Sequence, residues 1–170
     1  MIELLNIILS DIPRSLVEDE WDSLLINRRK PHTYRIFRNF GEHRVCLHVF
    51  DPCDPEDAFP HPHPWPGAFL LLKGEYVHTI GYSPDLETEP DFLYTEIVRP
   101  GTMYEIINKR TWHKVQPTQR TYTIMVNGPP WEGHKDTRTT KGKDLEKITP
   151  ELMKTMKMEF TELIEAHLNA

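Results

Sequence analysis

Two histidines one residue apart, His61 and His63, begin the stretch that most constrains this chain. The stretch covers residues 61–82 and has the sequence HPHPWPGAFLLLKGEYVHTIGY. In an extended segment alternate side chains point to the same face, so both imidazoles face the same way. Two neutral imidazoles arranged in this way can share one metal ion. The sequence therefore predicts two ligands of a metal site on an extended segment.

The segments on either side of this stretch are also typical of strands. Short alternating or apolar runs recur from residue 33 to residue 128, with turns at Gly, Pro and Asn between them, which predicts an antiparallel sandwich or barrel. A β-hairpin is predicted from the apolar run after the histidines, the Lys73-Gly74 pair and the alternating run that follows this pair. In residues 44–50, Arg44, Cys46 and His48 share one strand face. No paired base accompanies Cys46, so we do not predict a nucleophilic cysteine.

Helices are predicted only near the two ends. Residues 2–12 have apolar side chains at helical spacing, and Pro13 ends that pattern. A capping box at Ser15 and Glu18 predicts a second short helix, with Val17, Trp21, Leu24 and Leu25 on its apolar face. Thr149-Pro150 predicts the start of a C-terminal helix. Its apolar stripe contains Met153, Met156, Phe160, Leu163, Ile164 and His167.

Composition excludes some classes of protein. A net charge of −6 over 170 residues argues against broad nucleic-acid binding, and no apolar run is long enough to span a bilayer. The first residues lack a basic region before the apolar run, so no signal peptide is expected. Two cysteines, Cys46 and Cys53, are too few for a disulfide framework. These features predict a cytoplasmic protein with reduced thiols, and the basic triplet at residues 28–30 is interpreted as solvated surface.

The strand pattern and the histidines resemble the cupin superfamily. The first cupin motif has His-x-His, then a Glu, then a Gly, and His61, His63 and Gly74 fit its spacing. The Glu position falls on Gly67 or Ala68, so the carboxylate is missing. The second motif supplies a Gly and a third His, which Pro100-Gly101 and His113 fit with one extra residue. The strings LHVF, HPHPW and LLLKGEY also resemble bacterial and phage cupin-like proteins of unsettled function.

This resemblance implies a fold class and three segments. The expected fold has an all-β core, a cupin double-stranded β-helix or jelly-roll barrel, with N-terminal helices and a C-terminal helix. Residues 1–31 would form an N-terminal helical segment and residues 32–134 the barrel. Residues 135–170 would form a polar arm and the C-terminal amphipathic helix. Because cupins often pair their barrels and both ends carry apolar stripes, a homodimer is expected.

The resemblance also implies a metal site, with His113 as the third ligand beside His61 and His63. Cupin metals usually take three histidines and one carboxylate, and here either three histidines suffice or another group replaces the Glu. If Lys73-Gly74 forms the hairpin turn, His78 lies beside the vacant Glu position. His78 is then a fourth ligand, or a residue that contacts a ligand or the substrate.

Other residues near these histidines are candidates for roles in substrate binding or catalysis. Trp65 and Trp112 would pack on a substrate or belong to the core. His48 and Arg44 would face the barrel interior, to orient a ligand or hold an anion, although Arg44 on the surface is an equal alternative. The phenols of Tyr76 and Tyr122 are candidates for proton transfer.

The leading functional hypothesis is iron-dependent oxygenation of a small molecule. The cofactor would be one divalent metal ion, with Fe(II) expected first and zinc, nickel or manganese as alternatives. A metal-dependent isomerase or epimerase of a sugar-like substrate is the second hypothesis. The third is a non-catalytic module for small-molecule binding or assembly. A fold alone does not choose among these.

Overall fold

The computed structural model describes residues 1–85, 87–133 and 145–170. Within them lie three helices and ten strands. The helices are α1 (Ile2–Leu9), α2 (Ile12–Glu18) and α3 (Pro150–Leu168). The strands are β1 (Asp22–Ile26), β2 (Thr33–Phe40), β3 (His43–Phe50), β4 (His61–Pro62), β5 (Gly67–Lys73), β6 (Tyr76–Tyr82), β7 (Phe92–Val98), β8 (Met103–Ile106), β9 (Thr111–Pro117) and β10 (Thr121–Asn127). The predicted polar arm lies mostly outside the described residues.

The strands form two antiparallel sheets. One has the order β1-β2-β3-β10-β5-β8, and the other has the order β4-β9-β6-β7. The inner faces of both sheets line one cavity. This arrangement, with helices near both ends of the chain, confirms the predicted all-β cupin jelly roll. No helix among the described residues is long and apolar enough to cross a membrane.

Alternation along the strands separates the interior of the barrel from a second core outside it. On β10, Thr123, Met125 and Asn127 line the cavity. The side chains between them, Ile124 and Val126, are fully buried against the terminal helices. Both faces of β10 are therefore covered, which explains why this strand is buried along its whole length.

The C-terminal helix is built as predicted. The Thr149 hydroxyl accepts a hydrogen bond from the Leu152 amide at 3.2 Å, and Pro150 occupies the first turn. Met156, Phe160 and Ile164 are fully buried in the core between the helices and the six-stranded sheet. The apolar stripe of α3 therefore covers the chain's own barrel, and the homodimer stays a prediction.

The second helix differs from its prediction. α2 ends at Glu18, and Val17 is 81% exposed. Leu24 and Leu25 belong to β1, which pairs with β2, so the sheet begins before residue 32. Ser15 lies inside α2, because Pro13 occupies the first turn and the helix begins earlier. Pairing of β1 with β2 therefore determines the structure of Leu24 and Leu25, although the local capping signal predicts a helix there.

The predicted hairpin at Lys73-Gly74 is wrong. β5 pairs with β10 and β8, whereas β6 pairs with β9 and β7. The chain instead passes from one sheet to the other at Gly74, which has φ +91°. A Cβ there would lie 2.5 Å from the Thr121 hydroxyl and 2.7 Å from the Arg120 carbonyl. Only glycine fits this corner. A glycine is equally typical of a hairpin turn, so the sequence does not distinguish a hairpin from a connection between two sheets.

Candidate metal centre

Three histidine side chains converge at one end of the cavity. His61 lies on β4 directly opposite His113 on β9, and His63 follows one residue after β4. The Nε2 atom of His113 lies 2.8 Å from Nε2 of His63 and 3.1 Å from Nε2 of His61. The structure therefore brings together the three histidines that the cupin resemblance implies as ligands.

The partners of two of these rings fix where their protons lie. The Nδ1 atom of His61 is 3.2 Å from the Phe59 carbonyl oxygen, which can only accept, so Nδ1 carries the proton. The Nδ1 atom of His113 is 3.0 Å from Nε2 of His78, whose own Nδ1 donates to the Glu96 carboxylate at 3.4 Å. His78 therefore accepts from His113. Both His61 and His113 then point an unprotonated Nε2 at the other, an arrangement that a cation between them stabilises.

Burial keeps the imidazoles of His63, His113 and His78 neutral. Desolvation holds the pKa of His63 and His113 well below 6.5, and the neighbouring histidines lower it further. Burial also lowers the pKa of His78, against the opposing effect of Glu96. Neutral imidazole is the form that binds a metal ion, so protons do not compete for His63 and His113 near neutral pH.

The separations of the nitrogens also suit a metal ion. Two imidazole nitrogens, each about 2.1 Å from one ion, lie about 3.0 Å apart at a right angle and about 3.4 Å apart at the tetrahedral angle. The observed 2.8 and 3.1 Å lie near the first value. Both pairs of donors thus have the spacing of adjacent ligands of one ion, and the remaining positions are left to other groups.

An aromatic ring occupies the region where the cupin motif would place its Glu. Gly67 lies at that motif position on β5, and a Cβ built on it would lie 3.4 Å from the Phe69 ring. The Phe69 ring centre is 5.8 Å from that of His63 and 5.9 Å from that of His113. In the described part of the chain, the metal-binding cluster contains these three histidines and no carboxylate.

The structure places His78 behind His113. Its Nε2 contacts Nδ1 of His113, which is the ring nitrogen that faces away from His61 and His63. His78 is fully buried, and Glu96 on β7 pairs with it in the β6–β7 register. The arrangement matches a residue that orients a ligand. Sequence reasoning missed Glu96, because its position beside His78 depends on a register between two strands.

The triad opens onto a cavity of about 760 Å³. Trp65, Trp112, Tyr76, His48 and Arg44 all line it, and for Arg44 the sequence had left the interior and the surface as equal alternatives. The Trp112 indole donates to the Asp85 carbonyl at 3.1 Å. The Arg44 guanidinium donates to Asn39 at 3.0 Å and lies 4.7 Å from the centre of the Phe37 ring.

The two predicted proton-transfer tyrosines lie in different places. Tyr76 is buried in the cavity wall and donates to the Tyr104 hydroxyl at 2.8 Å. Burial raises the pKa of both phenols, which keeps them protonated. Tyr122 projects from the opposite face of β10, packs on Phe160 and donates to Glu159 at 3.2 Å. The structure therefore does not bring Tyr122 to the metal centre.

Sequence reasoning also missed Arg35. Its Nε donates to His48 Nε2 at 2.7 Å, across the β2–β3 pair. Burial and the adjacent guanidinium hold the pKa of His48 well below 6.5. The sequence does place Arg35 on the same strand face as Thr33 and Phe37. An arginine at such a position is also common on solvent-exposed strand faces, so the pattern alone does not indicate a role in the cavity.

No family model matches the chain, and no curated protein matches it. Solved structures with a similar fold include the Fe(II) form of HppE, at 16% identity over 65% of this chain and 58% of that chain, with a TM-score of 0.51. Hydroxypropylphosphonic acid epoxidase from S. wedmorenis matches at 14% identity over 64% and 55%, with a TM-score of 0.49. A protein of unknown function from Vibrio parahaemolyticus matches at 11% identity over 64% and 97%, with a TM-score of 0.44.

These comparisons bear on the fold. The chain spans less than three fifths of the length of the HppE and epoxidase structures. At 16% identity, the likeness to the Fe(II) form of HppE supports the cupin-type barrel. The metal site is argued from this chain's own histidines.

Proposed function

We propose that this protein is an iron-dependent oxygenase in which His61, His63 and His113 hold one Fe(II) ion beside a small-molecule cavity. The observation that carries the proposal is the convergence of the three imidazoles, with Nε2 of His113 2.8 Å from Nε2 of His63 and 3.1 Å from Nε2 of His61. Three neutral imidazoles suit iron, zinc, nickel and copper better than magnesium or calcium. The Fe(II) form of HppE, a solved structure with a similar barrel, supports iron as the first metal to test.

The surrounding residues have defined tasks in this proposal. A bound metal ion would act as a Lewis acid and offer open positions to oxygen and substrate. The Phe59 carbonyl and the His78–Glu96 pair hold His61 and His113 in the tautomers that leave Nε2 free to bind. Such contacts fix ring orientation and make the ligands more basic. They are therefore part of the metal site even though they do not reach the ion.

The cavity residues would position the substrate and limit water. Trp65 and Trp112 supply aromatic walls, and the Trp65 and His63 ring centres are 6.1 Å apart. Phe69 and Tyr104 stack with their ring centres 4.7 Å apart and close the region that the missing carboxylate would occupy. The Tyr76 hydroxyl donates to Tyr104, so the pair would pass a proton to a bound substrate from the Tyr104 hydroxyl. Tyr76 is thus proposed to act through Tyr104.

The proposal is tested by loading the purified chain with Fe(II) without oxygen and adding nitric oxide, an oxygen analogue. An open position on a protein-bound iron gives the electron paramagnetic resonance signal of a high-spin iron–nitrosyl species. Oxygen uptake is then measured with a panel of small organic molecules, both charged and uncharged, with His63→Ala as the control. Uptake no faster than that of free Fe(II) would contradict the oxygenase and would favour the isomerase or the non-catalytic module.

A further inference from the structure

The cavity beside the triad gathers positive charge. The chain as a whole has a net charge of −6, yet among the described residues no Asp or Glu lines this cavity. The basic side chains in its lining are Arg28, Arg29, Lys30, Arg35 and Arg44. Lys30 is paired with Asp57 at 2.6 Å, outside the lining. A cleft lined by one sign of charge concentrates ligands of the opposite sign.

Arg35 is held in a position suited to binding an anion. Its Nε is bound to the buried His48, which fixes the plane of the guanidinium. That bond uses one of five N–H donors. Within the described residues no carboxylate pairs with Arg35. The donors on its two terminal nitrogens have the forked geometry that matches two oxygens of a carboxylate or phosphoryl group.

A second cation lies on the triad side of the cavity. The Arg29 guanidinium lies 4.4 Å from the centre of the Phe59 ring, and that ring stacks on His61 at 5.4 Å. Arg29 is exposed, so its charge is screened more than that of the half-buried Arg35. Arg29 is therefore placed to attract an anion to the cavity, whereas Arg35 is placed to bind it.

Two polar groups in the cavity wall also lack partners. The Trp65 indole nitrogen and the Asn127 side-chain oxygen are buried without a hydrogen-bond partner among the described residues. Asn127 is 1% exposed. Buried polar groups are rarely left unpaired, and a ligand or an ordered water usually satisfies them. The indole is a further donor for an oxyanion, and the amide oxygen would accept from a ligand O–H or N–H.

We infer that the cavity binds a small organic acid, with its carboxylate or phosphoryl oxygens on Arg35 and its hydrocarbon part against the aromatic walls. The inference rests on the proposed function only in making this acid the substrate of the metal centre. Binding of the anion at Arg35 does not require the metal. An organic acid held there lies in the same cavity that the three histidines line.

The test uses isothermal titration calorimetry on the full chain after the metal has been removed with a chelator, so that an anion cannot bind to a metal ion instead. Benzoate and phenyl phosphate are the probes, and benzamide is the uncharged match for benzoate. The expected result is that at least one acid binds and that benzoate, if it binds, does so more tightly than benzamide. The preferred acid assigns the anion as carboxylate or phosphoryl.

The variants assign the binding to Arg35. Arg35→Gln should weaken binding of the preferred acid by about 10- to 100-fold, the range for hydrogen bonds to a charged group. Arg35→Lys should fall between, because an ammonium cannot make the two-point contact. Arg38→Gln is the matched control, since Arg38 lies on the same strand, pairs with Asp19 and does not line the cavity.

Some results would overturn the inference. They are failure of both acids to bind, equal binding of benzoate and benzamide, or equal binding of the preferred acid by the wild type and Arg35→Gln. These results would leave the metal centre standing, since the metal is absent from the titration. Conversely, a chain that cannot be loaded with metal but binds the acid through Arg35 would refute the oxygenase and keep the anion site.

Discussion

Replacing His78 by Ala tests whether this residue orients a ligand or is itself a ligand. Among the described residues, His78 Nε2 is the only acceptor for the His113 Nδ1–H, at a distance of 3.0 Å, and the change removes it. His113 is 2% exposed, so water does not replace His78 freely. A buried N–H without a partner costs about 1–3 kcal/mol. Since a factor of ten is about 1.4 kcal/mol, this agrees with a loss of about 10- to 100-fold in metal affinity.

The assay is competition between the protein and a coloured chelator for Zn(II), followed by the visible spectrum of the protein saturated with Co(II). His78→Ala should bind one metal ion at saturation, with the weakened affinity given above. His78→Gln keeps a side-chain oxygen as acceptor and should recover most of the affinity. Glu96→Gln should cost at most about fivefold, because its carboxylate is partly exposed and the bond is long. Unchanged affinity in His78→Ala would refute the orienting role, and a loss of stoichiometry would make His78 a ligand.

Three further predictions concern pH, packing and association. Burial holds the pKa of His48, His63 and His113 well below 6.5, so the unfolded chain takes up protons below pH 6.5 while the folded chain does not. The contribution of these histidines to the free energy of unfolding of the metal-free protein is therefore complete above pH 6.5. It is lost as the pH falls, by about 1.4 kcal/mol per histidine per pH unit. A melting temperature that does not change below pH 6.5 would contradict this. Phe160→Ala should cost about 3–5 kcal/mol in urea unfolding, against little for the exposed Met158→Ala, and equal costs would refute the packing of α3. Light scattering should show a homodimer, and a species of 20.0 kDa alone at high concentration would refute it.

The parts of the site that follow from local pattern could be predicted from the sequence. Side-chain alternation placed His48 on an interior face and left Arg44 with the surface as an equal alternative, and the spacing of His61 and His63 placed both rings on one side. The Thr149-Pro150 start of α3 depends on the first turn of the helix alone. In each case the signal lies within a few residues of its effect.

The parts that depend on which strands pair could not be predicted. Glycine at residue 74 indicates a turn equally well within one sheet or between two sheets. Because the chain changes sheets there, His78 lies behind His113 and not beside the Gly67 position. Glu96 and Arg35 acquire their roles from strand register, which no local pattern records. Tyr122 lies next to the cavity-lining Thr123 on β10 and itself faces the helices.

The most direct test of the metal centre is the metal content of the wild type and of His61→Ala, His63→Ala and His113→Ala, measured by mass spectrometry after dialysis from excess Fe(II) or Zn(II). The proposal predicts one ion per wild-type chain and a large loss in each variant, with circular dichroism unchanged because the barrel does not need the ion to fold. His43→Ala is the matched control, since it changes a histidine of β3 that does not line the cavity, and it should keep its ion. Full occupancy in the His61 and His63 variants would contradict the metal centre.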